Sequence, residues 1–236
     1  MAHAEAAPVG GSPGTLFIVS TPIGDPDDIS ARVLRVLGAA DLVVCEERAE
    51  GERLLKRHGI HNALIELNEH NEAAQTAELA EALKQGKTLA LVSDAGTPLL
   101  HDPGAGLAQA AIRMGARVTA VPGASAVLAA LVVSGLPMSE FRYRGMLPAK
   151  REDRKTAIAA LRGERATCVL LDAPYRLNAV LADLLDGLGA ARRIVVACNL
   201  TMPDERVVRG TLADVAARFR EKPFKGEYVI VIAGAM

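Results

Sequence analysis

Short runs of β-branched and other apolar residues recur along the chain with amphipathic stretches between them, and this alternation limits the fold more than any other feature. "LFIVS", "DLVVCE", "NALIEL", "TLALVSD" and "RVTAVPG" are each separated from the next by an amphipathic segment or a turn-to-helix sequence. Strands spaced this way pair in parallel through helical crossovers, so the pattern predicts an α/β fold with a parallel sheet. Asp27 or Asp28 is expected to cap a helix through Leu37. Asp102 followed by Pro103 is expected to cap one through Met114, which Gly115 ends.

After "VPGAS" the texture changes. "FRYRGML", "ATCVLLD", "RRIVVACNL", "RVVRGTL" and "EYVIVIAG" include neighbours joined by short polar turns, and "NLTMPDERVVRGTL" predicts a hairpin rather than a helical crossover. The expected organisation is a flexible tail over 1–13, an N-terminal α/β domain over 14–122 and a C-terminal domain with a mixed sheet over 123–236.

With 236 residues, half of them hydrophobic, the chain can bury a substantial core. A net charge of -1 gives no global attraction to nucleic acid or anionic membranes, so such a partner must meet a local patch. Cys45, Cys168 and Cys198 are widely spaced and each lies in an apolar run, which suits reduced, buried thiols. The start "MAHAEAAPVGGSPG" lacks the marks of a secretory signal, and no apolar run reaches the roughly 18 residues of a membrane span. A soluble, cytoplasmic protein with no membrane partner is expected.

Three strand ends are rich in small residues: Thr21 to Gly24, Ser93 to Pro98 and Pro122 to Ala126. In parallel α/β sheets ligands gather at such ends, where Gly and Ala let a ligand approach the backbone. Any one of these loops is equally well a simple strand terminator. There is no G-x-x-x-x-G-K-[ST] or G-x-G-x-x-G turn to support a nucleoside triphosphate or NAD.

"GTLFIVSTPIGDPDDIS", "LVSDAGTPLLHDPG", "VPGASAVLAALVVSGLP", "GMLPAK" and "KGEYVIVI" occur in an order and spacing similar to those of the bacterial ribosomal RNA small-subunit cytidine 2'-O-methyltransferases, a branch of the tetrapyrrole-methylase superfamily. The likeness runs from about Gly14 to Gly234. It implies a two-domain tetrapyrrole-methylase-like fold with S-adenosyl-L-methionine in the cleft between the domains, and a homodimer. It also implies cofactor contacts at Pro22, Ala95, Gly96, Thr97, Leu100, Ser125, Ala126, Leu171, Asp172 and Leu200. The expected partner is structured RNA: 16S ribosomal RNA or the small ribosomal subunit.

Methyl transfer to a ribose hydroxyl needs an aligned acceptor oxygen and is helped by a group that takes its proton. Candidates are Glu46, Glu47, His70 and Asp94. Each has a plainer alternative: solvated charge for the two glutamates, a cap or surface position for His70, an Asx turn for Asp94. His58 and His61 have ligand-like spacing without a partner cluster, so no metal is assigned.

"FRYRGMLPAKREDRK" carries Arg142, Arg144, Lys150, Arg151, Arg154 and Lys155 against Glu152 and Asp153, a basic run suited to an RNA backbone, with Tyr143 available to stack on a base. The alternative is a solvated helix face. Substrate-side stretches depart from the family pattern: E-D-T-R becomes Glu46-Glu47-Arg48-Ala49, Y-E-[AS]-P-H-R becomes Leu171 to Arg176 with Tyr175 for the histidine, and R-E-L-T-K becomes Cys198 to Met202. Two other functions therefore stand beside RNA methylation. One is methylation of a small molecule such as a tetrapyrrole; the other is a catalytically silent S-adenosylmethionine- or RNA-binding module.

Overall fold

The computed structural model describes residues 12–235, so most of the tail expected over 1–13 lies outside the described residues. Two compact units emerge. One comprises the described residues up to Pro22 with Asp27–Ala124; the other comprises Ile23–Pro26 with the described residues from Ser125 onward. Ile23–Pro26, which the sequence pattern places with the first domain, packs with the second unit.

In the first unit the order is β1 (Thr15–Val19), α1 (Ala31–Ala39), β2 (Leu42–Cys45), α2 (Arg48–Arg57), β3 (Leu64–Glu66), α3 (Glu72–Lys84), β4 (Leu89–Val92), α4 (Ala105–Arg113) and β5 (Arg117–Val121). All pairings are parallel, in the order β3-β2-β4-β1-β5. Alternation along the strands sends Leu16, Val44, Leu89 and Leu91 against Leu79 and Leu83 of α3 and Leu107 of α4. Val19, Val43, Ala90 and Val92 face Val33 and Leu37 of α1 and Leu55 of α2 on the other side. β4, central and buried throughout, thus turns into a helix on the face opposite those entered from its neighbours β1 and β2. That reversal makes its carboxyl end a topological switch point.

Two expected caps are corrected. Asp27 and Asp28 lie too early for α1; Ser30, extended at φ -80 and ψ 150, accepts from Val33 N instead. Asp102 does not cap α4 either, because the chain takes two more residues to enter the helix at Gly104, whose φ is 110. A Cβ at position 104 would lie 2.8 Å from Leu91 Cδ2, so both backbone angle and packing demand glycine. The Gly104 N–H is met by Glu72 Oε1 at 2.9 Å, a carboxylate from α3. Gly115 does end the helix, at φ 78.

The second unit contains α5 (Ala126–Ser134), β6 (Phe141–Met146), α6 (Arg151–Ala160), β7 (Thr167–Leu171), a 3₁₀ turn at Pro174–Arg176, α7 (Leu177–Leu188), β8 (Arg193–Cys198), β9 (Arg206–Thr211), α8 (Leu212–Glu221) and β10 (Tyr228–Ile232). Its sheet, ordered β6-β7-β10-β8-β9, is mixed: only β6 and β7 run parallel. β8 and β9 form the expected hairpin pairing. Helices α6, α7 and α8 cover one face through Ile158, Leu181, Val215 and Phe219. α5 covers the other, packing Val127, Ala130 and Leu131 on Val169, Val195, Val229 and Val231. Each fully buried leucine contributes roughly 1.5–3 kcal/mol of burial free energy to these cores. All three cysteines are buried and unbridged, and burial pushes the Cys45 thiol up to about 11, which keeps it protonated. Among the described residues no helix is long and apolar enough to cross a membrane.

Candidate functional site

The small-residue bends of the first unit lie beside one another because β4, β1 and β5 are neighbours in the sheet. Thr21 and Gly96 exchange both main-chain hydrogen bonds, Thr21 N to Gly96 O at 2.8 Å and Gly96 N to Thr21 O at 3.2 Å. Ser20 Oγ and Thr97 Oγ1 share a hydrogen bond of 3.0 Å, and Thr97 Oγ1 donates to Ala124 O at 3.1 Å. One threonine hydroxyl therefore ties the bend after β4 to those after β1 and β5. Gly96 turns at φ 81, and Leu99 and His101 also hold positive φ, at 73 and 85. Such angles in non-glycine residues are held against strain by their surroundings and concentrate at functional sites. Ala95, Leu100, Pro122 and Gly123 remain exposed, so uncharged backbone faces outward here.

Carboxylates gather at the same edge. Glu46 and Glu47 follow β2, Asp94 follows β4, and Glu47 N donates to Asp94 Oδ1 at 3.2 Å. His70 and Glu69 line a depression of about 490 Å³ together with Glu46, Glu47, Arg48 and Asn68. All four proton-acceptor candidates thus occupy one region: Glu46, Glu47 and His70 on the depression, Asp94 bonded to its rim. Glu46 is pushed up to about 7 by burial and then by the nearby charges of Asp94 and Asp102. Asp94 is raised by burial against the opposing Glu47 N–H bond. None of the ion pairs among the described residues engages Glu46 or Asp94.

Asp102 is the member that sequence pattern missed. It is raised to about 6, first by burial and then by Asp94, while a hydrogen bond with the Ser93 side chain opposes the shift. "DPG" before an apolar helix looks like a cap, and only the two-residue delay to Gly104 frees the carboxyl for this edge. Arg48 does not neutralise the group; its guanidinium donates to Leu64 O at 3.1 Å and lies 3.6 Å from Glu52. Among the described residues no cluster of three or more His, Cys, Asp and Glu side chains is arranged for a metal ion.

In the second unit, Ala126, Leu171 and Leu200 belong to one apolar cluster, with Ile23 packed against it. Ser125 caps α5 through Leu128 N. Gly24 is pressed so close to the loop after β8 that a Cβ would meet Leu200 O at 2.6 Å, which explains why Ile23–Pro26 joins this unit. Asp172 is 5% exposed; its Oδ1 pairs with Arg176 Nη1 at 3.1 Å, while Oδ2 is buried without a hydrogen-bond partner.

The basic run divides. Arg142 and Arg144 both reach Glu164 Oε2, at 2.8 and 3.1 Å, and stay part-exposed. Lys150, Arg151 and Lys155 are exposed. Arg154 is a correction: only 8% exposed, it places its guanidinium on Asp183 Oδ2 at 2.7 Å and on the Pro148 and Ala149 carbonyls at 3.0 and 2.7 Å. A phosphate cannot reach it there. Helix geometry explains the difference, since α6 turns position 154 and Ile158, one turn on, towards the core while 151 and 155 face water.

The family model described as Tetrapyrrole (Corrin/Porphyrin) Methylases matches residues 15–216. The chain is 42% identical over 223 residues to a protein of Micromonospora olivasterospora named ribosomal RNA small subunit methyltransferase I, covering 94% of this chain and 71% of that one. It is 42% identical to the protein of the same name from Xylella fastidiosa, over 95% of this chain and 83% of the other. Among solved structures, uroporphyrin-III-C-methyltransferase from Thermus thermophilus shares the fold at a TM-score of 0.65 and 23% identity, covering 93% of this chain and 94% of that one.

Proposed function

Because the chain belongs to the tetrapyrrole methylase family and, within it, to the ribosomal RNA small subunit methyltransferase I group, we propose that it methylates the ribose 2'-hydroxyl of a cytidine in 16S ribosomal RNA. It is an S-adenosylmethionine-dependent methyltransferase. The observation that carries the reading is the gathering of Glu46, Asp94 and Asp102 beside uncharged bends at the switch point of the parallel sheet.

The residues of the first unit fit this cofactor. Exposed main chain at Ala95 and Gly123 admits close approach of a ligand, and a carboxylate-rich edge favours a cationic sulfonium while opposing a polyphosphate. When bound, S-adenosylmethionine supplies an electrophilic methyl group on its sulfonium. Pro22, Ala95, Gly96, Thr97 and Leu100 are the positions of this unit that would hold it. In the second unit Ala126 and Leu171 offer part-exposed apolar surface over buried Leu200, Ser125 a helix start, and Asp172 a buried carboxylate.

Glu46 is the group best suited to receive the ribose hydroxyl proton. A base with its affinity near neutrality is ionised often enough to act and basic enough to pull. Asp94 and Asp102 raise that affinity by their charge, and the Glu47 N–H holds Asp94 in place. The leading contribution of the protein is orientation of the acceptor oxygen. Exposed Lys150, Arg151 and Lys155 support RNA as the acceptor. Leu128 and Val132, 55% and 66% exposed one turn apart on α5, support a homodimer, and a small-subunit RNA substrate implies the cytoplasm.

Mass-spectrometric mapping of ribose methylation in host 16S RNA, with and without this protein, tests the reading. The expected result is one cytidine mark lost on deletion and restored by purified protein with S-adenosylmethionine. An unchanged set of marks would sink it.

A further inference from the structure

The loop joining β6 to α6, Leu147 to Lys150, is held in an unusual way. Three successive carbonyls accept from two arginines that come from different elements. Arg176 Nη2 donates to Leu147 O at 3.1 Å and Pro148 O at 2.9 Å. Arg154 Nη1 donates to Pro148 O at 3.0 Å and Ala149 O at 2.7 Å. Each arginine is anchored by its own buried acid, Arg176 by Asp172 at 3.1 Å and Arg154 by Asp183 at 2.7 Å. Both aspartates are 5% exposed.

Charges buried or nearly so are costly to the fold unless paired and hydrogen-bonded, and here three of the four groups are buried and Arg176 is nearly so. A connection between a strand and a helix does not require this; such loops ordinarily close with a glycine or a polar cap. Lys150, the N-cap residue of α6, has no side-chain cap bond. The rigid part of the loop is therefore built from beneath, and its outer surface is left to Ala149, Lys150 and Arg151, all exposed. Arg151 is also tethered, its Nε 3.4 Å from Asp183 Oδ1 while its side chain stays 63% exposed. Tyr175, next in sequence to Arg176, is 86% exposed and so offers an aromatic face beside the same anchor.

Resting on the RNA-methylating function proposed above, we infer that Arg154 and Arg176 are positioning residues: they fix the Leu147–Lys150 loop so that Lys150 and Arg151 meet RNA phosphates and Tyr175 stacks on an unpaired base. The two arginines touch no substrate. Their effect comes through preorganisation, since a loop already in its bound shape loses less entropy when RNA docks. Exposed cations supply salt-sensitive attraction and an aromatic ring supplies sequence-tolerant stacking.

Four variants of the full chain separate these roles, read by RNA affinity for a 16S fragment across a salt series, KM and kcat for RNA, and S-adenosylmethionine affinity by calorimetry. Lys150→Ala with Arg151→Ala removes two phosphate contacts. It is expected to weaken RNA binding about tenfold at low salt and to flatten the salt slope by about 1.4, the value for two contacts to single-stranded RNA. Arg176→Lys keeps a cation on Asp172 but cannot bridge two carbonyls, so it avoids an unpaired buried acid. It is expected to raise KM for RNA about fivefold with kcat, salt slope and cofactor affinity unchanged. Tyr175→Phe should retain binding and Tyr175→Ala lose about tenfold or more, in line with stacking.

A wild-type RNA affinity in Arg176→Lys, or a parallel fall in cofactor affinity, would overturn the positioning role. Unaltered binding in the Lys150 and Arg151 double variant, with an active wild-type enzyme, would remove the loop from the RNA surface and leave the methyltransferase function standing. A wild-type protein that neither binds nor methylates 16S RNA would remove both.

Discussion

The two units differ in how they pair their acids: those of the first stay part-exposed among one another, while Asp172 and Asp183 of the second are buried against arginines. At the carboxyl edge of the parallel sheet, Glu46, Asp94 and Asp102 are gathered with one another, and their carboxyls hold protons more tightly than usual. Under the mixed sheet, Asp172 and Asp183 are each paired with an arginine at 3.1 and 2.7 Å. Like charges brought together destabilise a fold, and unlike charges brought together in a hydrogen-bonded pair hold a geometry in place. The first arrangement raises proton affinity by burial and mutual repulsion; in the second, burial raises Asp172 against the opposing charge of Arg176, and the paired arginines hold a loop. The basic stretch read as one RNA patch is split by the same logic, with Arg154 in the scaffold and Lys150 and Arg151 on the surface.

The sharpest test of this contrast is Glu46→Gln. Loss of the proton acceptor is expected to lower the single-turnover methyl-transfer rate by about 10²- to 10⁴-fold. The wild-type rate should climb with pH through about 7 as Glu46 ionises, and the variant should lose that limb. Stability should move the other way. Because the folded protein holds this proton more tightly than the unfolded chain, wild-type stability falls as pH rises from about 4.5 to about 7. Removing the charge should therefore stabilise the protein above pH 7, by about 1 kcal/mol once solvent screening of this part-exposed group is allowed for. A variant slower yet more heat-resistant is the outcome that marks a strained functional acid. Equal rates at pH 8 would return Glu46 to solvated charge.

In the second unit the same class of change should only destabilise. Arg154→Met leaves Asp183 buried with Arg151 alone, at 3.4 Å, and is expected to cost about 3–5 kcal/mol, seen as a thermal midpoint lower by about 10 °C. A midpoint within a degree of wild type would show that the pair is not a structural brace. The smallest of the three effects is expected at Gly96→Val. Its φ of 81 is hostile to a β-branched residue, and the strain of about 1–3 kcal/mol should appear as a roughly 10- to 100-fold loss of S-adenosylmethionine affinity by calorimetry. Unchanged affinity would remove this bend from the cofactor site.

The alternation of apolar runs and amphipathic stretches determined the parallel sheet, the later mixed sheet and the β8–β9 hairpin, because strand and helix periods are written locally and repeat over many residues. The small-residue bends were equally legible, since Gly96 and its neighbours announce positions where only compact side chains suit the backbone. Tertiary structure alone decided which charges are buried and with whom. Asp102 looked like a cap and became a neighbour of Glu46; Arg154 looked like a phosphate contact and became a brace. An aspartate or arginine has the same side chain in both roles. What separates them is the group packed opposite, and that group comes from a distant part of the chain: β2 and β4 for the acids, α7 for Asp183.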